Sequence, residues 1–364
     1  MAMGYASCMT CHFNPNGNGP LNDYGRALFA TELSSRWYAP KKVSDDTLAK
    51  YSRFFGFTDL PYWVRPHVKL RHLQITQNPG SQTNASRNIP MQREVGTAFI
   101  LDQDYKKIIV SSFTFHDKES RYRTSYQNQN EPGTYLKELY GRFELTEDQW
   151  VLIGLQDKPF GIRDVNHTFL SRRFSRNTQY DQSLGALYFK SSEKMEFSFM
   201  GFMGNPNEDP DKRAGGFSLL YEYNRDEQTR LGASFLTQKN NESEIFAISG
   251  HTRMNLNYDA ALSFETGLVH NSLFRSNLPT QSFYWLFQNM VRLTRGFNFL
   301  FEHELGRADT STGGPWIQKT SLGFLTFPLP RSEVRIQVIN EKTIDFERGN
   351  LDAWQVQSQF HLSL

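Results

Sequence analysis

Nowhere among the 364 residues do about 18 apolar side chains follow one another, so helical membrane spans are excluded. A transmembrane barrel is not, because lipid-facing and lumen-facing residues alternate along its strands and average out. An excess of one charge is also missing. Forty Lys and Arg against 38 Asp and Glu leave a formal net charge of +2. Without a basic surplus to neutralise phosphates, no nucleic acid is expected as a partner. No Ser-His-Asp order, zinc spacing or phosphate-cradling loop stands out, and nothing calls for an enzyme. Cysteine is nearly absent, with two residues in all. Aromatics, by contrast, are plentiful: 30 Phe, 16 Tyr and 6 Trp make 14% of a chain that is only 38% hydrophobic. That balance suits many amphipathic strands better than a helical core. The length could hold two or three domains or one large barrel or sandwich.

The two cysteines stand together in Cys8-Met9-Thr10-Cys11-His12. A C-x-x-C-H run is the attachment pattern of haem c: two thiols bond to the porphyrin vinyl groups and the following histidine ligates iron from one face. The alternatives are a thioredoxin-like redox pair or a plain disulfide. Against them, no βαβ pattern surrounds the motif, and His12 falls where haem requires it. Cys8 and Cys11 are therefore the expected thioether residues and His12 the proximal ligand of one covalent haem c. No charged-then-apolar secretory signal precedes the motif, so the numbering is expected to begin after its cleavage.

Residues 1–62 are expected to form a small monohaem c-type, or plug, domain. After the motif comes the turn-rich stretch Asn14-Pro15-Asn16-Gly17-Asn18-Gly19-Pro20, then two short helices near 21–34 and 44–54. So few apolar residues cannot build a free-standing core; the haem, or a wall against which the segment packs, must supply the apolar contact. Asn14, Asn22 and Tyr24 are expected to fix the loop around the haem, with Gly17, Gly19 and Gly25 allowing close backbone approach.

From 63 to 364 apolar and polar residues alternate with period two. Trp354, Val356, Phe360, Leu362 and Leu364 share one face of the last segment, while Gln355, Gln357, Gln359, His361 and Ser363 occupy the other. This predicts sixteen strands, near 64–76, 93–102, 106–116, 134–146, 149–158, 184–191, 195–205, 214–224, 229–239, 244–255, 259–273, 281–295, 297–308, 315–327, 332–344 and 352–364. Short turns and longer loops, the latter including 77–92, 117–133 and 159–183, fall alternately and are expected on opposite rims. The segregation favours an all-β, antiparallel transmembrane barrel of about 16 strands over a soluble β protein, whose sixteen strands would enclose an empty interior. Trp37, Trp63, Trp150, Trp285, Trp316 and Trp354 lie mostly near strand ends, as an interfacial girdle would have them. Outer-membrane lipid is then the expected surrounding.

The longest connection, after the fifth strand, carries Arg163, Arg172, Arg173 and Arg176. Folded inward, it would focus positive potential in the bore and favour small anionic solutes. Folded outward, it would be a solvated loop whose arginines pair with lipid headgroups or carboxylates. Glu302 and Glu304 share one strand face and are expected to line the lumen beside Arg292 or Arg307.

The run from Gly154 to Arg173, with Lys158-Pro159-Phe160-Gly161 and Phe169-Leu170-Ser171-Arg172-Arg173, resembles the strand and loop that mark the phosphate-selective porin O and P family. Residues 8–25 resemble the start of outer-membrane haem-c barrel proteins of delta-class proteobacteria and their relatives, with Phe13 and Asn18 as departures. That group carries an Asp-His-Thr-like run in the loop after the fifth strand; here it reads Asn166-His167-Thr168. The specific motifs span about 40 residues. The resemblance implies a haem domain on the periplasmic side or inside the lumen of an outer-membrane barrel.

A low-spin electron-transfer haem needs a second axial ligand. The histidines beyond the motif are His67, His72, His116, His167, His251, His270, His303 and His361. His167 is the expected distal ligand, because an inward loop could meet a haem in the bore and the resembling proteins place His there. His67 and His72 come next. Two functions follow. One is an electron-transfer barrel served by periplasmic or surface c-type cytochromes, since one haem does not bridge about 30 Å of hydrocarbon alone. The other is a porin with anion preference whose haem domain is a structural plug or redox gate. A soluble haem sensor is the third reading.

Overall fold

The computed structural model describes residues 7–17, 19–35, 43–51, 60–78, 85–116, 133–163, 166, 168–178, 181–256, 259–274, 279–310, 313–345 and 349–364. Alternating sequence becomes strand after strand. The first eight are β1 (Val64–Gln77), β2 (Ala85–Ile100), β3 (Lys107–His116), β4 (Gly133–Thr146), β5 (Gln149–Gln156), β6 (Ser183–Ser191), β7 (Met195–Phe202) and β8 (Gly215–Asn224). They continue as β9 (Thr229–Lys239), β10 (Ser243–Leu256), β11 (Ala260–Leu273), β12 (Pro279–Thr294), β13 (Phe297–Arg307), β14 (Trp316–Thr326), β15 (Ser332–Ile344) and β16 (Leu351–Ser363). Each pairs antiparallel with the next, and β1 closes the cylinder on β16 from Lys69↔Ser363 to Gln77↔Gln355. Closure removes every free sheet edge, which a lipid-exposed sheet requires.

The alternation decides which side chains face in. On β16, Trp354 and Phe360 stand exposed outside. On β1, Arg65, His67, Lys69 and Arg71 are buried inside while Leu70 and His72 are exposed. Phe99, Ile109, Phe199, Phe217, Leu268 and Phe324, each at least 37% exposed, belong to an outer apolar belt, whereas Glu94, Lys137, Glu222, Arg230 and Glu302 are buried within. A soluble protein distributes these types the other way; a barrel in lipid does not. Trp63 and Trp354 are half exposed, and Trp150 packs against the inner cluster instead. Trp37 lies outside the described residues.

Two expectations need correction. The second strand begins at Ala85, eight residues before the 93 read from alternation. Its extension pairs Ala85–Pro90 with His72–Gln77 of β1, and Ser86, Arg87 and Asn88 in succession are exposed. A ribbon wet on both faces carries no period-two signal. The long-loop rim is also not uniformly long, because β9 and β10 join through residues 240–242 alone. Asn240 builds that turn by accepting from the amides of Glu242 (2.9 Å) and Ser243 (2.7 Å) through Oδ1.

The described residues between 7 and 35 pack against the inner wall of the cylinder. Helix α1 (Asp23–Leu28) runs into one wide π-helical turn, Phe29–Leu33, and α2 (Asp45–Tyr51) follows. The wall supplies the apolar contact that the segment lacks. Phe13, 2% exposed, joins Ala98, Ile100 and Tyr140 in the main buried cluster, and Phe29 meets Phe327 edge-on at 5.3 Å. Polar clips hold it to the short-turn rim: the Ser35 amide donates to Phe327 O (2.9 Å) and Arg295 Nε to Ser34 O (3.1 Å). Higher up, Lys69 Nζ donates to Gly19 O (2.6 Å) and Asn16 Nδ2 to Asp157 O (3.0 Å).

The connection of residues 157–182 also turns inward, carrying the short helix α3 (Leu170–Phe174). Three lumenal acceptors take its amides: Ser234 Oγ from Gly161 (2.9 Å), Glu265 Oε2 from Ile162 (2.8 Å) and Glu304 Oε2 from Leu170 (2.6 Å). Phe160 and Phe169 are buried beneath it. Of the two directions open from sequence, the inward one is realised.

Candidate functional site

The Cys-x-x-Cys-His stretch is one tight turn. His12 N donates to Cys8 O (2.9 Å), and Ser7 Oγ caps the start by accepting from Met9 N (3.2 Å). Asn22 clips it from the other side. Its Nδ2 donates to Met9 O (3.2 Å) and Thr10 O (3.0 Å), while its Oδ1 accepts from Gly25 N (2.8 Å) and so caps α1. The α1 backbone presses on the motif at Gly25, where a Cβ would lie 2.3 Å from Cys11 O. At Gly17, in the left-handed region at φ +74°, a Cβ would come to 3.3 Å from Cys8 Sγ. The missing side chain keeps space open at that sulfur. The two thiols are not bonded to each other. Burial, with the Cys8 thiol beside it, pushes the Cys11 thiol up.

Cys8, Cys11 and His12 share one wall of a lumenal cavity of about 550 Å³. Its floor, toward the short-turn rim, is apolar, with Phe29, Leu33, Met290, Leu325 and Phe327. Its other walls are rich in cations. Four of these have carboxylate partners: Lys137 with Glu94 at 2.7 Å, Lys69 with the same carboxylate at 3.8 Å, Arg163 with Asp157 at 2.8 Å, and Arg253 with Glu222. Arg331 is different. Only 3% exposed, it lines the cavity from the turn between β14 and β15 with Nε and Nη2 unpartnered. Burial, aided by the nearby Arg26, pushes its guanidinium down to about 9, and burial brings Arg26 down to about 10. A buried cation without a counter-charge is costly, and an anionic group in the cavity would relieve that cost.

The remaining expected residues separate. Arg163 and Arg172 face the main cavity, Arg176 Nη1 reaches Ser243 Oγ (3.1 Å) beside a second, polar cavity of about 200 Å³, and Arg173 is exposed. Asn14 is fully buried and accepts from Asn16 N through Oδ1 (2.9 Å). Tyr24 stands 49% exposed, and Asn22, expected beside it, clips the motif turn. His167 lies outside the described residues. His67, buried on the inner side of β1, has its Nε2 3.1 Å from Glu94 Oε1, and His72 is exposed on the outer face of β1, so His72 is removed as a lumenal ligand. Glu302 and Glu304 do line the lumen, but with other partners than expected: Arg335 at 3.8 Å and Lys319 at 3.2 Å. Arg307 has the opposite parity on β13, and Arg292 sits nearer the short-turn rim, opposite Asn298. Sequence reasoning missed Arg331, which a turn position does not advertise. His361 also lines the cavity; its place on the polar face of the last segment was the available signal.

No protein-family profile and no curated protein sequence matches the chain. Solved structures do. The outer membrane channel DcaP of Acinetobacter baumannii superposes with a TM-score of 0.58 at 10% identity, over 83% of this chain and 97% of that one. The anion-selective porin from Comamonas acidovorans gives 0.60 at 10% identity, over 83% and 99%. Salmonella typhi OmpF, solved in complex with daunomycin, gives 0.61 at 11% identity, over 83% and 97%. The chain therefore has the closed sixteen-stranded antiparallel fold of outer-membrane porins.

Proposed function

We propose that this chain is an outer-membrane barrel that holds one covalent haem c in its bore and takes part in electron transfer across the outer membrane. The observation that carries this reading is the placement of Cys8, Cys11 and His12 on a single wall of the 550 Å³ lumenal cavity. The residues present fit the group. Gly17 leaves room at the Cys8 sulfur, the Phe29 and Phe327 floor suits an apolar macrocycle, and the unpartnered Arg331 guanidinium suits a propionate. When bound, haem supplies one-electron exchange at iron. The chain's own part is to position and to exclude. Asn22 and Gly25 hold the motif turn, His12 offers the proximal nitrogen, and the inward loop 157–182, bonded to Ser234, Glu265 and Glu304, covers the bore on the long-loop side. Partners are then periplasmic or surface c-type cytochromes, with the haem segment toward the periplasmic, short-turn side.

Mass analysis of the purified chain tests this. One haem added to the peptide bearing Cys8 and Cys11, reduced by a periplasmic cytochrome and rapidly reoxidised by an external acceptor, is expected. Unmodified thiols would sink the proposal.

A second reading is favoured by the cations Arg163 and Arg172 at the cavity and by the likeness to an anion-selective porin. In it the chain passes small anionic solutes, and residues 1–62 act as a plug or redox gate. A rise in bilayer conductance on deleting them, with anions carrying most of the current, would favour this function.

A further inference from the structure

Among the described residues, two histidines line the lumenal cavity: His12, from the motif, and His361, from the wall. His361 projects from β16, opposite Arg71 of β1 and Glu333 of β15. Its Nδ1 lies 3.8 Å from Glu333 Oε2. Its Nε2 is sealed from solvent and has no hydrogen-bond partner. A buried ring nitrogen left in that state is destabilising until a partner takes its lone pair or proton. A carboxylate beside the far nitrogen is the usual companion of a metal-binding imidazole, since it favours the proton on Nδ1 and leaves the Nε2 lone pair free for a metal.

Resting on the haem reading above, we infer that His361 is the distal axial ligand, so that iron is held between the motif's own His12 and the barrel's last strand, with Glu333 as the positioning residue. The competing donor in the cavity wall is Met290. Its thioether packs in the apolar cluster with Phe29, Leu33, Leu300 and Leu325, where it fills space and leaves no orphaned polar atom. His67 and His251 are closed by their carboxylates, Glu94 at 3.1 Å and Glu222 at 2.8 Å. Ligation by His361 would join the N-terminal segment to the seam between β1 and β16 through a single metal.

The test is spectroscopic, on the full chain matured with covalent haem and purified in detergent. Absorption and electron paramagnetic resonance would be recorded for wild type, His361→Ala, His361→Met, Glu333→Gln, Met290→Leu and His167→Ala. Wild type is expected to be low-spin with two nitrogen ligands. His361→Ala should turn high-spin and regain the low-spin spectrum with added imidazole. His361→Met should stay low-spin at a raised potential, because a Met/His pair favours reduced iron. This variant keeps the inference testable if the alanine form assembles poorly. Glu333→Gln should remain low-spin with shifted electron paramagnetic resonance g-values, because losing the carboxylate at Nδ1 changes the basicity of the ligating ring. A low-spin spectrum that survives His361→Ala, a high-spin wild type, or conversion in Met290→Leu or His167→Ala instead would overturn the assignment while leaving haem attachment intact. Wild type without haem would overturn the haem reading itself, and this inference with it.

Discussion

At Gly25 the α1 backbone passes so close to the motif that no side chain fits: a Cβ would sit 2.3 Å from one backbone atom of Cys11 and 2.9 Å from another. Both obstacles are main chain, so relief needs a shift of the turn itself. Gly25→Ala should therefore cost about 1–3 kcal/mol locally. Hydrogen exchange at the His12 and Asn22 amides should speed up about tenfold or more while the strands keep their protection. Unchanged exchange there would show that the turn is not strained by the added methyl. A second residue acts by charge. Burial, with Asp181 nearby, holds the Glu208 carboxyl up at about 7, against the pull of Lys158. A carboxyl raised in the folded state favours folding while protonated, so its contribution is full below its ordinary value and fades as pH rises through about 7. The 203–214 loop should thus show lower protection factors, with the intrinsic base catalysis of exchange divided out, at about pH 8 than at about pH 5, and Glu208→Gln should remove the difference.

Among the elements, the inward loop 157–182 depends on strands far away in sequence. Its amides at Gly161, Ile162 and Leu170 end on β9, β11 and β13. Removing a buried acceptor leaves an amide unsatisfied at a cost of about 1–3 kcal/mol. Glu265→Ala combined with Glu304→Ala should free the loop and raise single-channel conductance in planar bilayers; conductance equal to wild type would mean that the loop does not limit the bore. The same three bonds explain why the loop's direction was not legible beforehand. Its arginines are local, but the acceptors lie on three other strands, and no local pattern links them. Strand positions were legible for the opposite reason. Side-chain parity on β16 or β13 is a local consequence of two wet and dry surfaces. The first part of β2 carries no such parity where both its surfaces are wet, and nothing local to 21–34 marks the wide turn that takes over from the helix at Phe29.

For the whole molecule, the outer belt is what separates a membrane barrel from a hollow soluble one. Leu268 lies midway along β11, 54% exposed, beside Ile248 and Phe283. In lipid, Leu268→Arg should destabilise the barrel by about 2–4 kcal/mol. Urea titration of folding into lipid vesicles would measure it. No loss, together with extraction of the wild type by salt alone, would place the protein in water. The cylinder and its belt followed from alternation and composition. The placement of the motif within the bore did not, because it rests on fits such as Phe13 under Arg142 and Phe29 against Phe327, which only the assembled wall provides.

The first strand zips to the last, and the zipped wall encloses the described part of the leading stretch that carries Phe13 and Phe29. Assembly consequently has an order. Either the leading stretch is in place before the seam shuts, or it slides in afterwards through the rim of tight turns, and any group fastened to its sulfurs must travel with it. Stalling the seam should trap a chain whose amino end is open to protease.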